Sequence, residues 1–409
     1  MTTNEPPDTH AAGTPLLAKY AGVFDRIAAG AIERERERRL PFEEMGWLKA
    51  AGFASVRVPK EQGGDGASIV DLAQLLIALA TADPSLPQAL RGHVVFSEDR
   101  IFASPGHERD LWLKRFVAGE IVGNAWTEIG SVGLWEIHTT LEKAGDGYLL
   151  NGRKFYTTGS IFAEWIDVLS RRDDGVNVLA LVSTRTKGVT VTDDWDGFGQ
   201  KTTGSGEAVF SGAEVDSSNV FAFDDRVPYQ NALFQLVLLA ALAGIGKAIV
   251  RDTAEQVRKR TRVYSTSTGA TDRLDPQIQQ VVGQLAAYAF ATEAATLRAA
   301  AALDRAFQSK DNGKEALAAA TQAADIEVYT AQIIVTEFTQ RAATLLFNAL
   351  SASSTREHLA LDRHWRNART ISSHNPVINK ERFIGDWFIN GTPPPANWSI
   401  GVPPATKNS

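Results

Sequence analysis

Cysteine is missing from all 409 residues. That excludes disulfides, thiolate metal sites and a thiol nucleophile outright. Histidine is scarce, at seven. No His, Asp and Glu set falls at metal-ligand spacing, and neither HExxH nor GxSxG occurs, so no metal is expected. Positive charge is in deficit, 42 Lys and Arg against 48 Asp and Glu, for a net charge of −6. A nucleic-acid partner needs a basic face, so that class is set aside. The longest apolar run, LFQLVLLAALAGIG from Leu233, is interrupted by Gln235 and followed by Lys247. At 14 residues it is too short to cross a bilayer and reads as a buried helix. The head, MTTNEPPDTHAAGTP, has neither the basic start nor the apolar core of a signal peptide. A cytoplasmic protein with no membrane partner is the expectation.

What is present is ordinary for a globular chain: 44% hydrophobic and 22% charged residues. The length allows two or three subdomains. Residues 14–120 are helical in pattern, as in LLAKYAGVFDRIAAGAIERERERR and IVDLAQLLIALATA. The ERERERR run, with Glu35 and Arg39 at i,i+4, reads as a solvated helix face. Near Gly123 the texture changes. DGYLLNGRKFYTTGS surrounds Asn151-Gly152, a local hairpin signal. VNVLALVS, GVTVTDDW and EAVFSGAEV continue the β pattern to about residue 215. From Asn231 long alanine-rich helices are predicted over 231–262, 276–308 and 314–350, with a final one near 378–389. Short connections between them point to a bundle. The expected domains are 1–120, helical; 121–226, β; and 227–409, a helical bundle.

Several short constellations could carry chemistry. VPKEQGGDGAS (58–68) lacks P-loop spacing and a preceding strand, so it reads as a turn between packed helices. GNAWTEIGS (123–131) brings Asn124, Trp126, Thr127 and Glu128 into tight order, and FYTTGS (155–160) adds Tyr156, Thr157 and Thr158. Together these could line a flat aromatic cofactor with amides and hydroxyls, as a flavin ring requires. His93, in LRGHVVF, sits in an apolar neighbourhood that suits a core histidine as well as a catalytic one. HWRNARTISSHNP (364–376) spends two of the seven histidines around Arg366 and Arg369, just before a helix-stopping Pro376.

In this order, VPKEQGGDGAS, AWTEIGS, NGRKFYTTG, a β region and LDRHWRNAR, the chain resembles the acyl-CoA dehydrogenase superfamily from about residue 16 to 391. The resemblance implies an α+β architecture: N-terminal helical domain, central β-barrel and C-terminal four-helix bundle. It also implies a flavin between barrel and bundle, and a homotetramer. The chain departs from the dehydrogenases at their working residues. Their catalytic glutamate stands eight residues before the arginine of an RDAR-like motif. Counting back from Arg366 reaches His358, with Glu357 one step off. Their YEGT-like motif is replaced by His374, Asn375 and Pro376, and their WIT by Tyr156, Thr157 and Thr158.

These features are similar to the flavin-dependent monooxygenase branch, the dibenzothiophene monooxygenase-like enzymes. The counterparts of that branch's site residues are His93, Asn124 with Glu128, Thr158, Trp195 in TDDWDGFG, and His374. A serine of the pattern is Thr158 here, HDP is HNP, a second histidine is Ile371, and Ser353 stands where an arginine is expected.

The resemblance implies FMN, delivered reduced by a separate NAD(P)H-dependent flavin reductase. Dioxygen would add at flavin C4a, and the hydroperoxide would oxygenate a small aromatic or sulfur-containing heterocyclic substrate. On this reading Asn124, Trp126, Thr127, Tyr156, Thr158, Arg262, Ser353 and His374 hold the cofactor. His93, Asn124, Thr158 and His374 act in catalysis, and Trp195 and Phe198 wall the substrate pocket. Two alternatives remain at this stage. One is an FAD-dependent acyl-CoA dehydrogenase using Glu357 as its base; the other is a non-catalytic helical interaction protein.

Overall fold

The computed structural model describes residues 14–130, 132–134, 136–395 and 401–402. Residues 1–13 of the polar head and Ser131 lie outside them. Seven helices come first: α1 Pro15–Ala29, α2 Ala31–Glu37, α3 Phe42–Ala50, α4 Ile69–Ala82, α5 Ser85–Ala89, α6 Arg91–Phe102 and α7 His107–Val117. Local chemistry starts the long ones. Thr14 caps α1 ahead of a proline at its first turn, and Ser68 with Asp71 forms a capping box on α4.

The ERERERR run is a solvated face only in part: Glu33 and residues 36–39 are exposed, while Arg34 and Glu35 turn inward. Arg34 is 1% exposed and bonds Glu44 at 2.8 Å and Asp83 at 2.9 Å. Glu35 is buried and bonds Arg366, while Arg39 pairs with Glu44 instead of Glu35. Arg38 takes a left-handed conformation (φ 54°) that ends α2 and breaks the i,i+4 register. In the glycine-rich loop, a Cβ on Gly64 would come within 2.2 Å of the Val58 carbonyl oxygen. Close backbone approach is the reason for that glycine, as expected of a turn.

Eight strands follow: β1 Val122–Ala125, β2 Thr140–Ala144, β3 Gly147–Lys154, β4 Trp165–Arg172, β5 Asn177–Ser183, β6 Val189–Val191, β7 Ala208–Val215 and β8 Val220–Ala222. They pair in the order β6-β7-β3-β2-β4-β5-β8, with β1 parallel on β4. Strands across this order share one core of Leu141, Leu150, Ile166, Val168, Val178, Ala180 and Phe210. VLALV (178–182) is apolar at every step because β5 is covered twice. Val178, Ala180 and Val182 face that core, and Leu179 and Leu181 pack on Phe96 and Trp112 of the helices. Asn151-Gly152 is not a hairpin turn: β2 and β3 turn at Gly145, and the pair sits inside β3 at a register shift. There Gly152 accepts a bulge geometry that Thr139 leaves no room for a Cβ to share.

The bundle holds α8 Gln230–Lys259, α9 Pro276–Gln308, α10 Lys314–Leu345, α11 Arg363–Ser372 and α12 Val377–Asn390. The apolar run from Leu233 is the middle of α8 and is almost wholly buried. At Gly244 a Cβ would meet Ala80 at 2.4 Å, so this glycine lets α8 cross α4 closely. The architecture is the α+β order of helices, sheet and bundle.

Candidate active site

The site gathers where α11 ends and α6, β1 and the 155–160 segment meet it. His374 lies just past α11, its N–H donating to the Ile371 carbonyl at 3.1 Å. Next to it, the buried Asn375 amide donates to Gln235 Oε1 of α8 at 2.8 Å, which pins the turn to the bundle. The His374 surface is open to solvent although protein crowds the ring. Desolvation, and then the Arg91 charge, hold its imidazole well below its usual range, so it is neutral at pH 7. The neutral ring keeps one nitrogen to accept a proton and one N–H to donate.

Arg91 opens α6 and went unnoticed in the sequence. Its guanidinium lies 5.5 Å from the Phe234 ring centre, and Phe234 in turn meets Trp126 edge-on. The following residue, Gly92, lets α6 approach Asn124, whose side-chain oxygen would stand 3.0 Å from a Cβ there. That oxygen is buried with no hydrogen-bond partner.

His93 is one step further, so about 200° around the helix from Arg91. Its Nε2 lies 2.8 Å from the Ala54 carbonyl, and Val122 N–H donates to Nδ1 at 3.4 Å. Both nitrogens are thus engaged with backbone, with the proton on Nε2. The structure ties His93 into the packing of α6, β1 and the 53–55 turn and does not bring it to His374. Burial pushes its pKa down to about 4. An unfolded His93 takes up a proton near pH 6.5, but the folded one refuses it until about pH 4. Its contribution to stability is therefore present above about pH 6.5 and is lost as pH falls toward 4. Thermal melts across that window should show the slope, and His93→Leu should flatten it. An unchanged slope in the variant would refute this account.

Thr158 starts a hydroxyl chain: Ser205 Oγ is 2.7 Å away, Thr203 Oγ1 2.8 Å beyond that, and Thr203 donates to the Gln200 carbonyl. Gln200 N–H bonds Asn367 of α11, so the barrel edge and the helix leading to His374 are joined. Tyr156 is exposed and holds φ 57°, a strained region for a tyrosine, next to this chain. Its ring meets Trp195 at 6.2 Å, and Phe198 stacks on Trp365 at 5.6 Å. Trp195 and Phe198 therefore belong to an aromatic rim, with Trp365 as a third member that the sequence did not single out.

Other expected residues are placed differently. The ring of Trp126 is covered by the Arg226 guanidinium, 4.7 Å from its centre, and edged by Phe223 and Phe234. Thr127 offers its carbonyl to Phe155 in a bridge between β1 and β3. Glu128 is structural in its bonds: it takes Lys154 at 2.6 Å, the His138 and Thr139 N–H groups, and the Thr139 hydroxyl. Arg262 is exposed on the connection after α8, and Ser353 on the turn before α11, where it bonds Ser351. Neither bonds to the cluster around His374. Glu357 is exposed on the same connection. His364, the other histidine of HWRNARTISSHNP, is buried 2.9 Å from Asp252, a carboxylate also bonded by Arg363 and Arg251. Two small, partly open cavities, about 20 Å³ beside His364 and about 10 Å³ beside His93, are not lined by His374.

Three family models match the chain in order: Acyl-CoA dehydrogenase, N-terminal domain, over residues 22–120; middle domain over 125–213; and C-terminal domain over 236–378. The chain belongs to the acyl-CoA dehydrogenase superfamily. Within it, the chain falls in the dibenzothiophene monooxygenase-like branch. It is 26% identical to the dibenzothiophene monooxygenase of Rhodococcus erythropolis over 94% of this chain and 95% of that protein. It is 25% identical to a probable FMNH2-dependent monooxygenase, SfnC, of Pseudomonas putida over 93% and 96%. The FMN-bound crystal structure of TdsC from Paenibacillus sp. A11-2 superposes with a TM-score of 0.86 at 25% identity, covering 93% of this chain and 98% of that one.

Proposed function

We propose that this chain is the oxygenase component of a two-component flavin-dependent monooxygenase. It would use reduced FMN from a separate NAD(P)H-dependent reductase, and O2, to oxygenate a small aromatic or sulfur-containing heterocyclic substrate. The carrying observation is the replacement of the dehydrogenase machinery. A neutral His374 in the field of Arg91 stands just past the end of α11, while Glu357 stands exposed on a separate turn. The residues fit a flavin. An unsatisfied Asn124 side-chain oxygen and the Thr158–Ser205 hydroxyls offer hydrogen bonds to a heteroaromatic edge, and the strained Tyr156 backbone turns beside them. The FMN-bound relative supports the choice of cofactor.

Bound reduced FMN would supply two electrons to activate dioxygen, so that one oxygen atom is transferred and the other leaves as water. His374 accepts or returns a proton at its ring nitrogen near the reacting centre. Thr158 donates a hydrogen bond at the cofactor edge, Asn124 contributes its amide, and the backbone around 124–127 contributes polar groups. Tyr156, Trp195, Phe198 and Trp365 form an apolar rim that limits water. Equilibrium titration should find FMN bound better reduced than oxidised, with no tight preference for FAD. FAD binding much more tightly, with reduction by an acyl-CoA, would return the chain to the dehydrogenases.

A homotetramer completes the proposal, with Arg262 and Ser353 at the flavin phosphate across a subunit contact. The large apolar side chains Phe290, Ile378, Phe388 and Ile389, all exposed in the single chain, support an assembly. Sedimentation should give the tetramer mass; a stable, active monomer would reject it.

A further inference from the structure

We infer that Arg91 is the seat of an anionic group on the substrate, a carboxylate, sulfinate or sulfonate carried by a small aromatic or heterocyclic body. This rests on the reading of the His374 site as the place of oxygenation, and narrows its substrate class.

Arg91 carries a charge that lacks its counter-charge. A guanidinium stays protonated in proteins, so burying it without an anion is costly. Arg91 is 7% exposed, and its Nε has no partner. Among the described residues no carboxylate bonds it, and burial alone, with no acid opposing, lowers its pKa to about 10. The chain treats its other deeply buried arginines differently. Arg34 bonds Glu44 and Asp83, Arg57 bonds Glu98 twice, Arg226 bonds Asp99 and Asp167, and Arg363 bonds Asp252. Arg100, which has no such bond, still lies in the field of Asp99 and Asp167. Arg91 has only the Phe234 face, a partial compensation.

Its position says what would complete it. Gly92 seats α6 against Asn124, and the Arg91 charge acts on the His374 ring, so the unpaired cation stands near both Asn124 and the candidate proton-handling group. The Asn124 side chain is buried there with an unsatisfied oxygen; turning the amide over presents its NH2 to an oxyanion instead. His374, being neutral, adds no second positive charge to compete for the anion. A planar oxyanion matches the guanidinium fork with two parallel hydrogen bonds, while a neutral substrate leaves the cation bare. The other source of negative charge at such a site is the reduced flavin ring, and the experiment separates the two.

Calorimetric titration of the full chain, without flavin and again with FMN, would use benzoate and benzenesulfinate against the neutral benzamide. Arg91→Met and Arg91→Lys would be run alongside, each checked for folding by circular dichroism. Benzoate and benzenesulfinate should bind at least about tenfold more tightly than benzamide, the scale of a hydrogen bond to a charged group. Arg91→Met should abolish that preference and Arg91→Lys should restore part of it, which also covers the case of a methionine variant that does not fold. Affinity for reduced FMN should stay within about twofold. Benzamide binding as tightly as benzoate, or no anion binding at millimolar concentration, would overturn the inference. So would selective loss of reduced-FMN affinity in Arg91→Met, which would assign the guanidinium to the cofactor. Wild-type protein that binds no reduced FMN refutes the oxygenase reading separately, since the benzoate arm without flavin does not depend on it.

Discussion

His374→Ala should lower oxygen transfer to substrate by about a hundredfold or more, the usual scale for a positioned proton-transfer group. Folding and reduced-FMN affinity should be largely retained, because Asn375 on Gln235 and the His374 backbone hold the turn, and the imidazole adds only its bond to the Asn375 side chain. Reduced oxygen should then leave as hydrogen peroxide in place of product. A residue that merely ends a helix predicts something else: about 1 kcal/mol of stability lost, with coupling unchanged. Stopped-flow flavin absorbance with paired peroxide and product yields separates the outcomes. Normal coupling in a slightly less stable variant would remove His374 from the chemistry.

Glu128→Ala should destabilise the fold by about 3–5 kcal/mol, the cost of stripping the partner from a buried charge. Lys154 is fully buried, and among the described residues its only other bond is a long one, 3.4 Å, to the Trp126 carbonyl. Burial alone would raise the Glu128 carboxyl, but its bonds to Lys154 and the 138–139 segment hold it below the usual carboxylate range. Glu128→Gln removes the charge but keeps one acceptor oxygen, enough for the His138 or the Thr139 N–H but not both, so it separates the ion pair from part of the loop contacts. Urea denaturation of wild type, Glu128→Ala, Glu128→Gln and the double variant Glu128→Gln/Lys154→Met reads the energies. The double variant should recover part of the loss, since a buried pair replaced as a unit costs less than one broken. A change below about 1 kcal/mol in Glu128→Ala would show the pair to be dispensable.

This pair also shows how far local reading reaches. The sequence placed Glu128 beside Asn124 at the cofactor, because the two are four residues apart in one short motif. The fold divides them: Asn124 faces Gly92, while Glu128 turns to Lys154 and Thr139.

The helices, the strands and their order were legible because each rests on neighbours along the chain. Alanine-rich runs marked α8 to α10, the amphipathic stretch IVDLAQLLIALATA marked α4, and the motif order carried the superfamily resemblance. His374 could be singled out by its place ahead of Pro376. Only the tertiary structure decided where charges and rings find their partners. Glu35 meets Arg366 from the far end of the chain, which made a buried clamp of part of an apparently solvated run. Two helical positions turned Arg91 and His93 to different sides, one toward His374 and the other onto the Ala54 carbonyl. A hydrogen-bonded or desolvated side chain is defined by what surrounds it in space, and those surroundings come from segments that no local pattern brings together.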